Sequence, residues 1–597
     1  MIESSPRNLL AALALLSTSA GAAVATEVRI TEPGGDNSAV KAVESAALTV
    51  RTVANEEATA QDIYSAALAD YSRIVGALYA RGYYGPVVNI RLDGREASYI
   101  APLSVPSSIG VVEIKVQTGP AFTFSRAEIG PLAPGTVLPD GFAAGKPAES
   151  GLIRQAASAG VEAWRAASHA KAEISGQRIA ANHRNATLSA DLKLSPGPAV
   201  TFGKLVIEGD SRVRRKRLHD IAGLPEGDPF DPEKLEDSAD RLRKTGAFRS
   251  VRLAEAETLA PDDSMDITLE VVDDKPRRFG FGAELYSQEG LSLSSFWMHR
   301  NLLGGAERLR FDLEISGVGG ADDGGEDFSL NGLFERPATF DPDTGLYVLA
   351  GIKRDNEPNY TEDSSKFGFG LTHDFSDRLS ARSGLLLNYS DIRDDLGERY
   401  MYHAMFPTAL TWDGRESDLD TRNGFYLNLQ ATPLLGLGGE AEDGAQIKAD
   451  MRAYRGIGER LVLAGRLQIG SILEASAQGV PSDLLFFSGG GGTVRGQPYQ
   501  SLAVELDNGD EIGGRSFIGL SAEARMGVTR SIGVVAFADA GFIGPNSWMD
   551  DGKWHSGAGL GLRYDTGIGP IRFDVAAPMG GGTGDGVQFY IGIGQAF

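Results

Sequence analysis

The chain has 597 residues, a formal net charge of -23 and no cysteine. The length exceeds that of one ordinary domain, so we expect a multidomain protein. The net negative charge makes nucleic-acid binding unlikely to be the function, because proteins that bind nucleic acids have a basic surface. The lack of cysteine excludes disulfides, thiolate catalysis and cysteine-ligated metals, and it is compatible with an oxidising compartment.

Residues 1–25 have the pattern of a secretory signal peptide. Arg7 precedes a short apolar run from Leu9 to Leu16, and the small residues before Thr26 fit a cleavage site. The apolar run is shorter than the roughly 20 residues that a transmembrane helix needs. We therefore expect an exported chain that starts near Thr26 and has no transmembrane helix.

Residues 26–275 alternate strand-like and helix-like segments with a period of roughly 80 residues. The last unit is the clearest, because a strand from Thr201 to Glu208 is followed by two helices and two strands. In the middle unit, a helix over 149–168 and a short strand over 170–174 are predicted. The pattern predicts three similar α+β modules, which span residues 26–118, 119–199 and 200–275. An array of generic α+β domains is the alternative, since such patterns recur across functions.

From residue 276 to 597 the pattern changes to short segments that alternate apolar with small or polar residues. These runs, separated by Gly, Asp and Asn turns, are typical of transmembrane β-barrel strands, and about sixteen are present. The sheet must close on itself in lipid, because an open edge would leave backbone groups unpaired. We therefore predict an antiparallel transmembrane β-barrel over 276–597. A soluble β-sandwich is the alternative.

Arg495 lies in a glycine-rich stretch that we place in a loop from about Phe487 to Gly514. Loops of this length between two strands are uncommon in compact domains and often have a function. Glu523 and Asp539 follow on predicted strands beside small residues, so both carboxylates should face the lumen rather than lipid. If the loop folds inward, its guanidinium can pair with one or both acids. A solvated surface loop is the alternative.

Several of these motifs resemble one family, the BamA/TamA outer-membrane insertase superfamily. The run Val494-Arg495-Gly496 resembles the signature of that family's sixth extracellular loop, and Asp539 lies in its aromatic-x-Asp-x-Gly pattern. The family usually has an aromatic residue directly after the second glycine, whereas here two residues precede Tyr499. The resemblance implies that the loop locks into the barrel through a set formed by Val494, Arg495, Gly496, Glu523 and Asp539.

Two further features extend the resemblance along the chain. The turn Gly246-Ala-Phe248 resembles one in the family's periplasmic POTRA modules, and Phe597 resembles the C-terminal sorting residue of bacterial barrels. The resemblance implies a bacterial outer-membrane location, with the POTRA repeats in the periplasm. Three POTRA repeats before a sixteen-stranded barrel is the layout of the TamA branch.

The resemblance also implies a function, namely an outer-membrane assembly factor that helps to insert and translocate client proteins such as autotransporters. The route would be a lateral seam between the first and last strands, where glycines weaken pairing. The predicted seam residues are Gly280, Gly282, Gly592, Gly594 and Phe597. The implied partners are unfolded outer-membrane clients, the lipid bilayer and a TamB-like inner-membrane-anchored protein. The alternatives are a two-partner-secretion-type or passive transport pore, and a structural adhesin or anchor.

Catalytic chemistry is not indicated by the sequence. The 7 histidines are scattered, and no H-E-x-x-H, G-x-S-x-G or P-loop pattern is present. We therefore expect a protein that is not an enzyme and that uses no cofactor and no metal.

Overall fold

The structure is a computed structural model. It describes residues 26–32, 34, 37–55, 57–286, 290–320, 325–417, 419–507, 509, 511–529, 531–566, 569–584, 586–593 and 595. The predicted signal peptide, residues 1–25, lies outside these residues. Among the described helices, none combines the length and the apolar character required to cross a membrane.

The chain divides into two compact units, and the first runs to residue 201 and takes in 228–232 and 261–264. Its first sheet has the strand order β1-β4-β2-β3. The elements around that sheet are β1 (Glu27–Thr31), α1 (Asn37–Ala46), α2 (Leu48–Val53), α3 (Ala60–Tyr79), β2 (Val87–Leu92), β3 (Arg95–Glu96) and β4 (Val111–Gln117). Apolar residues of α3, including Ile74 and Leu78, pack on Ile90 and Ile114 of the sheet to form a buried core.

The start of α3 is fixed by a capping box. The backbone amide of Asp62 donates to the Thr59 hydroxyl, and the Thr59 backbone amide donates to the Asp62 carboxylate. Such reciprocal bonds satisfy amides that have no partner in the first helical turn. The hydrogen bond from the Thr59 hydroxyl also lowers the pKa of Asp62. The helix therefore begins where the sequence places a Thr-x-x-Asp motif.

The second sheet of this unit has the order β5-β7-β6, and β5 and β7 are parallel. Its elements are β5 (Thr123–Gly130), α4 (Ser150–Ala166), β6 (Glu173–Asn182) and β7 (Thr187–Ser195). Phe122, Phe124 and Leu188 pack with Ile153 of α4 in the core. The prediction of a strand over 170–174 was wrong, because the strand is β6, most of whose residues are exposed. An exposed edge strand has little apolar alternation to reveal it.

The second unit begins with a third sheet of order β8-β10-β9. Its elements follow the predicted order of strand, helix, helix, strand and strand. They are β8 (Thr201–Glu208), α5 (Arg215–Ala222), α6 (Pro232–Lys244), β9 (Phe248–Glu255) and β10 (Ser264–Asp273). Burial raises the pKa of Asp273, but hydrogen bonds from Ser211 and Arg212 outweigh burial and hold that pKa below its usual value. These bonds tie the end of β10 to the segment that precedes α5.

The rest of the second unit is a closed antiparallel barrel. Its strand segments are β11 (Arg277–Tyr286), β12 (Gly290–His299), β13 (Arg308–Val318), β14 (Asp327–Arg336), β15 (Thr344–Glu357), β16 (Tyr360–Asp374), β17 (Leu379–Asp394), β18 (Gly397–Met405), β19 (Thr408–Asp413), β20 (Gly424–Gly439), β21 (Gly444–Ile457), β22 (Leu461–Leu473), β25 (Ser516–Gly527), β26 (Ile532–Gly544), β27 (Lys553–Thr566), β28 (Gly569–Gly580) and β29 (Gln588–Ile593). Two short strands, β23 (Val504–Glu505) and β24 (Glu511–Ile512), pair with each other in the connection between β22 and β25. The segments β18 and β19 flank Phe406 and Pro407, and both pair with β17 and β20.

The third module contacts the turns at one end of the barrel. The Arg241 guanidinium donates to both carboxylate oxygens of Asp343, at 2.6 and 3.2 Å. Arg217 is buried and donates to the carbonyl of Ala338 at 3.0 Å. We call this end of the barrel the module end. The turn between β15 and β16, Glu357 to Tyr360, therefore lies at the opposite end of those strands.

Candidate functional site

The connection between β22 and β25 is a folded loop, and it is longer than the predicted 487–514. It spans 474–515, because β22 ends at Leu473 and β25 begins at Ser516. Leu485, Phe486 and Leu502 of this loop pack with residues of the barrel wall in one buried cluster. A buried apolar cluster is not the property of a solvated surface loop. The loop is therefore packed against the barrel.

Arg495 is the charged residue at the centre of this loop, and it is 3 % exposed. Its Nε and Nη2 donate to the two carboxylate oxygens of Asp539 on β26, at 2.8 and 3.0 Å. Its Nη1 donates to Glu523 on β25 at 2.7 Å. The structure thus brings together the three charged residues of the predicted set. The bond to Asp539 has the two-pronged geometry that fixes the orientation of a guanidinium as well as its charge.

Further charges complete a buried network around Arg495. Asp574 on β28 lies 3.3 Å from Nη1 of Arg495 and also pairs with Arg563 of β27. Glu523 accepts a second bond, at 2.7 Å, from Arg525. Three carboxylates therefore face three guanidinium groups, so the buried charges balance. This charge balance is important for stability, because a buried charge without a partner lowers the free energy of unfolding by about 3–5 kcal/mol.

The ring of Phe537 and two small residues shape the space that Arg495 occupies. The guanidinium carbon of Arg495 lies 3.6 Å from the centroid of the Phe537 ring, a favourable cation–π position. Gly496 has a φ of +95°, and a Cβ there would lie 2.6 Å from the carbonyl oxygen of Ala577. A Cβ at Gly557 would lie 2.1 Å from the carbonyl oxygen of Arg495. The close approach of loop and wall therefore requires glycine at both positions.

The loop also bonds to the last strand of the barrel. The backbone amide of Gly496 donates to the hydroxyl of Tyr590 on β29, at 3.0 Å. Val494, the first residue of the predicted loop motif, is fully buried. The set Val494, Arg495 and Gly496 thus meets five successive strands of one wall, β25, β26, β27, β28 and β29.

The described part of the closure between the first and last strands is short. Within the described residues, β11 and β29 are in register at Leu285–Ile591 and Tyr286–Tyr590. By contrast, β28 and β29 are in register from Ile571–Ile593 to Ala576–Gln588, and β11 pairs with β12 along its whole length. The junction of β11 and β29 is therefore the least extensively paired position in the described wall.

The predicted seam glycines have local packing roles as well. A Cβ at Gly280 would lie 2.1 Å from the Phe296 ring of β12, and one at Gly282 would lie 2.5 Å from the Ser294 hydroxyl. Gly592 belongs to β29, and its Cβ would approach Arg572 at 3.1 Å. Gly594 and Phe597 lie outside the described residues. A role of these residues in weakening the seam remains a prediction.

With this geometry in place, comparison with known families identifies the barrel. Residues 301–597 match the model described as the Omp85 superfamily domain. The chain carries an Omp85 superfamily barrel. Residues 200–273 match the POTRA model, described as a surface antigen variable number repeat. Together with the relatives below, these matches support the BamA/TamA superfamily.

Curated relatives of this Omp85 chain include two proteins named outer membrane protein assembly factor BamA. The one from Nitratidesulfovibrio vulgaris is 26 % identical over 428 residues, which cover 67 % of this chain and 51 % of the relative. The one from Neorickettsia risticii is 24 % identical over 418 residues, which cover 64 % of this chain and 53 % of the relative. The chain thus spans about half the length of the curated relatives that it matches.

Among solved structures, BamA from Haemophilus ducreyi lacking POTRA domains 1–3 has a similar fold. The TM-score is 0.59 at 16 % identity, and the match covers 79 % of this chain and all of that one. An Omp85 barrel behind a POTRA domain is an outer-membrane protein whose POTRA part lies in the periplasm. The predicted location is confirmed. The module end of the barrel therefore faces the periplasm, and the opposite end faces the cell surface.

The sequence prediction missed four members of the Omp85 site, which are Asp574, Arg525, Arg563 and Tyr590. A signal for Asp574 was present, because it stands between apolar Phe573 and Val575 on a strand. A charged residue in an alternating apolar run points away from lipid. No sequence pattern predicts the contact between Tyr590 and the loop, because that contact depends on how the barrel closes.

We expect Gly557→Ala to disturb the docked loop. The new methyl group would lie at 2.1 Å from the carbonyl oxygen of Arg495, so the loop or β27 must shift. Overpacking of this kind costs about 1–3 kcal/mol of unfolding free energy. Denaturant unfolding of the protein in detergent micelles and protease cleavage within 474–515 measure the change.

Gly492→Ala is the matched control for Gly557→Ala, because a Cβ at Gly492 has no atom within 4 Å. We expect its effect on the unfolding free energy to stay within about 0.5 kcal/mol. Equal effects of the two substitutions would contradict close packing at Gly557.

Proposed function

We propose that this protein is an outer-membrane assembly factor of the TamA type, and not an enzyme. It helps to insert and translocate client proteins, such as autotransporters, through a lateral seam between β11 and β29. Its periplasmic POTRA repeats contact the client and a TamB-like inner-membrane-anchored partner. The matched relatives named as BamA assembly factors support a role in assembly.

The observation that carries this proposal is the short pairing between β11 and β29. Two register positions join these strands within the described residues, so few of the described backbone bonds between them must break to expose their edges. An exposed strand edge can pair with an added strand through main-chain hydrogen bonds. A client strand could therefore pair with one edge of the open seam while the rest of the wall stays intact.

The architecture supports the TamA branch. The described periplasmic part holds three sheets, each with at least one helix, and we count them as three POTRA repeats. Because β18 and β19 share both neighbours, we count them as one interrupted strand, which gives a sixteen-stranded barrel. Three repeats and sixteen strands form the TamA layout.

The position of the loop weighs against a passive pore. Arg495 meets the wall of β25, β26 and β28, while the hydroxyl of Tyr499 donates to Glu357 of β15 at 3.2 Å. The loop therefore bridges two separate parts of the wall and occupies space that a passive channel would leave open. In this proposal it keeps the wall rigid while the seam opens.

Reconstitution tests the proposal. We expect liposomes that contain the protein to accelerate the folding of a urea-denatured outer-membrane barrel several-fold over empty liposomes. Removal of residues 26–199 should abolish most of that acceleration. Conductance of the same protein in planar bilayers should be small and intermittent, because the loop occupies the lumen.

The alternative function, a two-partner-secretion-type or passive transport pore, predicts different results. A large, steady conductance that persists without residues 26–199, together with no acceleration of client folding, would contradict the assembly proposal and favour the pore.

A further inference from the structure

Arg572 on β28 is a buried charge outside the ion-pair network of Arg495. It is 9 % exposed, and it shares the lumen face with Asp574, because the two residues are two positions apart on one strand. Asp574 already pairs with Arg495 and Arg563. The buried Nε of Arg572 has no hydrogen-bond partner, and no carboxylate of the described residues forms an ion pair with its guanidinium. A buried charge without a partner is costly, so this position requires an explanation.

The surroundings of Arg572 add to this cost. Arg563 is its register partner on β27, so two guanidinium groups stand opposite each other on neighbouring strands. Like charges in that arrangement destabilise a sheet. Arg572 is also a fourth guanidinium on a wall whose three buried carboxylates already face three others. The buried charges in the described part of this wall therefore include one unmatched cation.

The guanidinium of Arg572 lies over the last strand of the barrel. Arg572 and Gly592 are register partners on β28 and β29. A Cβ at Gly592 would lie 3.1 Å from Nε and 3.5 Å from Nη2 of Arg572. Because glycine has no side chain, the arginine can extend over β29, whose other edge forms the seam.

The position across the seam from Gly592 belongs to β11 in the closed barrel. The register of β11 and β29 would place Glu284 opposite Gly592 if it continued by one residue, but the described pairing stops before that position. Neighbouring strands lie about 4.7–4.9 Å apart. A carboxylate on a strand that pairs fully with β29 could therefore reach the guanidinium above Gly592.

We propose that Arg572 binds a carboxylate of the client strand that takes the place of β11 beside β29, and that it thereby sets the register of that strand. This inference rests on the proposed function, in which the seam opens to a client. A guanidinium can bind a carboxylate through two parallel hydrogen bonds, which fix position as well as charge. A slip of the client by one residue would turn its acid toward lipid, where a carboxylate is costly. Because Arg572 faces the lumen, a strand residue can reach it and a lipid headgroup cannot.

Client folding in liposomes tests this role. The probe is a small outer-membrane barrel, unfolded in urea, whose first strand carries a single lumen-facing glutamate. We expect the unmodified chain to accelerate the folding of this probe about ten-fold more than that of a probe with glutamine at the same place, because a hydrogen bond to a charged group is worth a factor of this size. Arg572→Gln should remove the difference. Arg572→Glu should reverse it, so that a probe with lysine at that place folds faster than the glutamate probe.

Arg466→Gln is the matched control. Arg466 on β22 also faces the lumen, because Ser521 connects it in register to Asp539, but it pairs with Asp450 at 2.8 Å and lies away from the seam. This variant should keep the difference between the probes. Heat-modifiable migration on gels establishes that each variant is folded. If Arg572→Gln does not fold, Arg572→Lys takes its place, and it should reduce the difference because lysine lacks the two-pronged geometry.

The outcomes separate this inference from the function on which it rests. Equal acceleration of the glutamate and glutamine probes by the unmodified chain would overturn the role of Arg572 and leave the assembly function standing. A difference that persists undiminished in the Arg572 variants would overturn it as well. No acceleration of either probe would contradict the assembly function itself.

Discussion

Replacement of Arg495 by alanine is expected to lower the free energy of unfolding by about 3–5 kcal/mol, the usual cost of removing one partner from a buried ion pair. The substitution leaves Asp539 without its two-pronged partner and removes one bond to Glu523. Arg525 and Arg563 keep their own contacts with the network, so part of the charge stays compensated. Denaturant unfolding in micelles measures the loss, and protease cleavage within 474–515 reports release of the loop.

Charge reversal should have a larger effect than alanine. Arg495→Glu places a fourth carboxylate beside Glu523, Asp539 and Asp574. A second change, Asp539→Arg, restores the charge balance and should recover part of the lost stability.

Arg393→Ala is the control for these substitutions. Arg393 pairs with Glu398 at 3.4 Å, but both side chains are more than half exposed. Exposed pairs contribute about 0–1 kcal/mol. If Arg495→Ala costs no more than Arg393→Ala, the network around Arg495 does not stabilise the docked loop.

A disulfide across the seam is expected to abolish most client insertion. The natural chain has no cysteine, so Leu285→Cys with Ile591→Cys creates a unique pair at opposed register positions. Opposed residues on antiparallel strands have Cα atoms about 4.5–5.5 Å apart, which suits a disulfide. Insertion of a client should fall at least ten-fold when the bond is formed and should recover after reduction.

The control crosslink lies within the wall, at Leu560→Cys with Val575→Cys. These residues are opposed on β27 and β28, where pairing is extensive. That crosslink should leave insertion unchanged. Activity that persists with the seam crosslink fully formed would exclude the seam as the route, and the assembly proposal would need another path for the client.

Much of the barrel and part of the site could be predicted from the sequence. Glu523 and Asp539 interrupt alternating runs of apolar and small residues, and on a barrel strand such acids must turn toward the lumen. The cation opposite them was recognisable because Arg495 stands alone in a glycine-rich stretch. These inferences depend only on local pattern and on the cost of charge in lipid.

The remaining members of the site depend on contacts that local pattern does not specify. Tyr590 meets Gly496 from a strand 94 residues further along the chain. Asp574 can contact Arg495 only if β28 lies close to the loop. That distance is set by the register of several strands.

The break at Phe406 and Pro407 has a consequence for how the cylinder could deform. Proline has no backbone N–H to donate to a neighbouring strand, and here it separates β18 from β19. Seven strands of the described sheet lie between this break and the seam in one direction, and eight lie between them in the other. The break thus stands diametrically across from the junction of β11 and β29. If that junction opens as the proposed function requires, the missing hydrogen bond at Pro407 would let the two halves of the barrel bend relative to each other at this position.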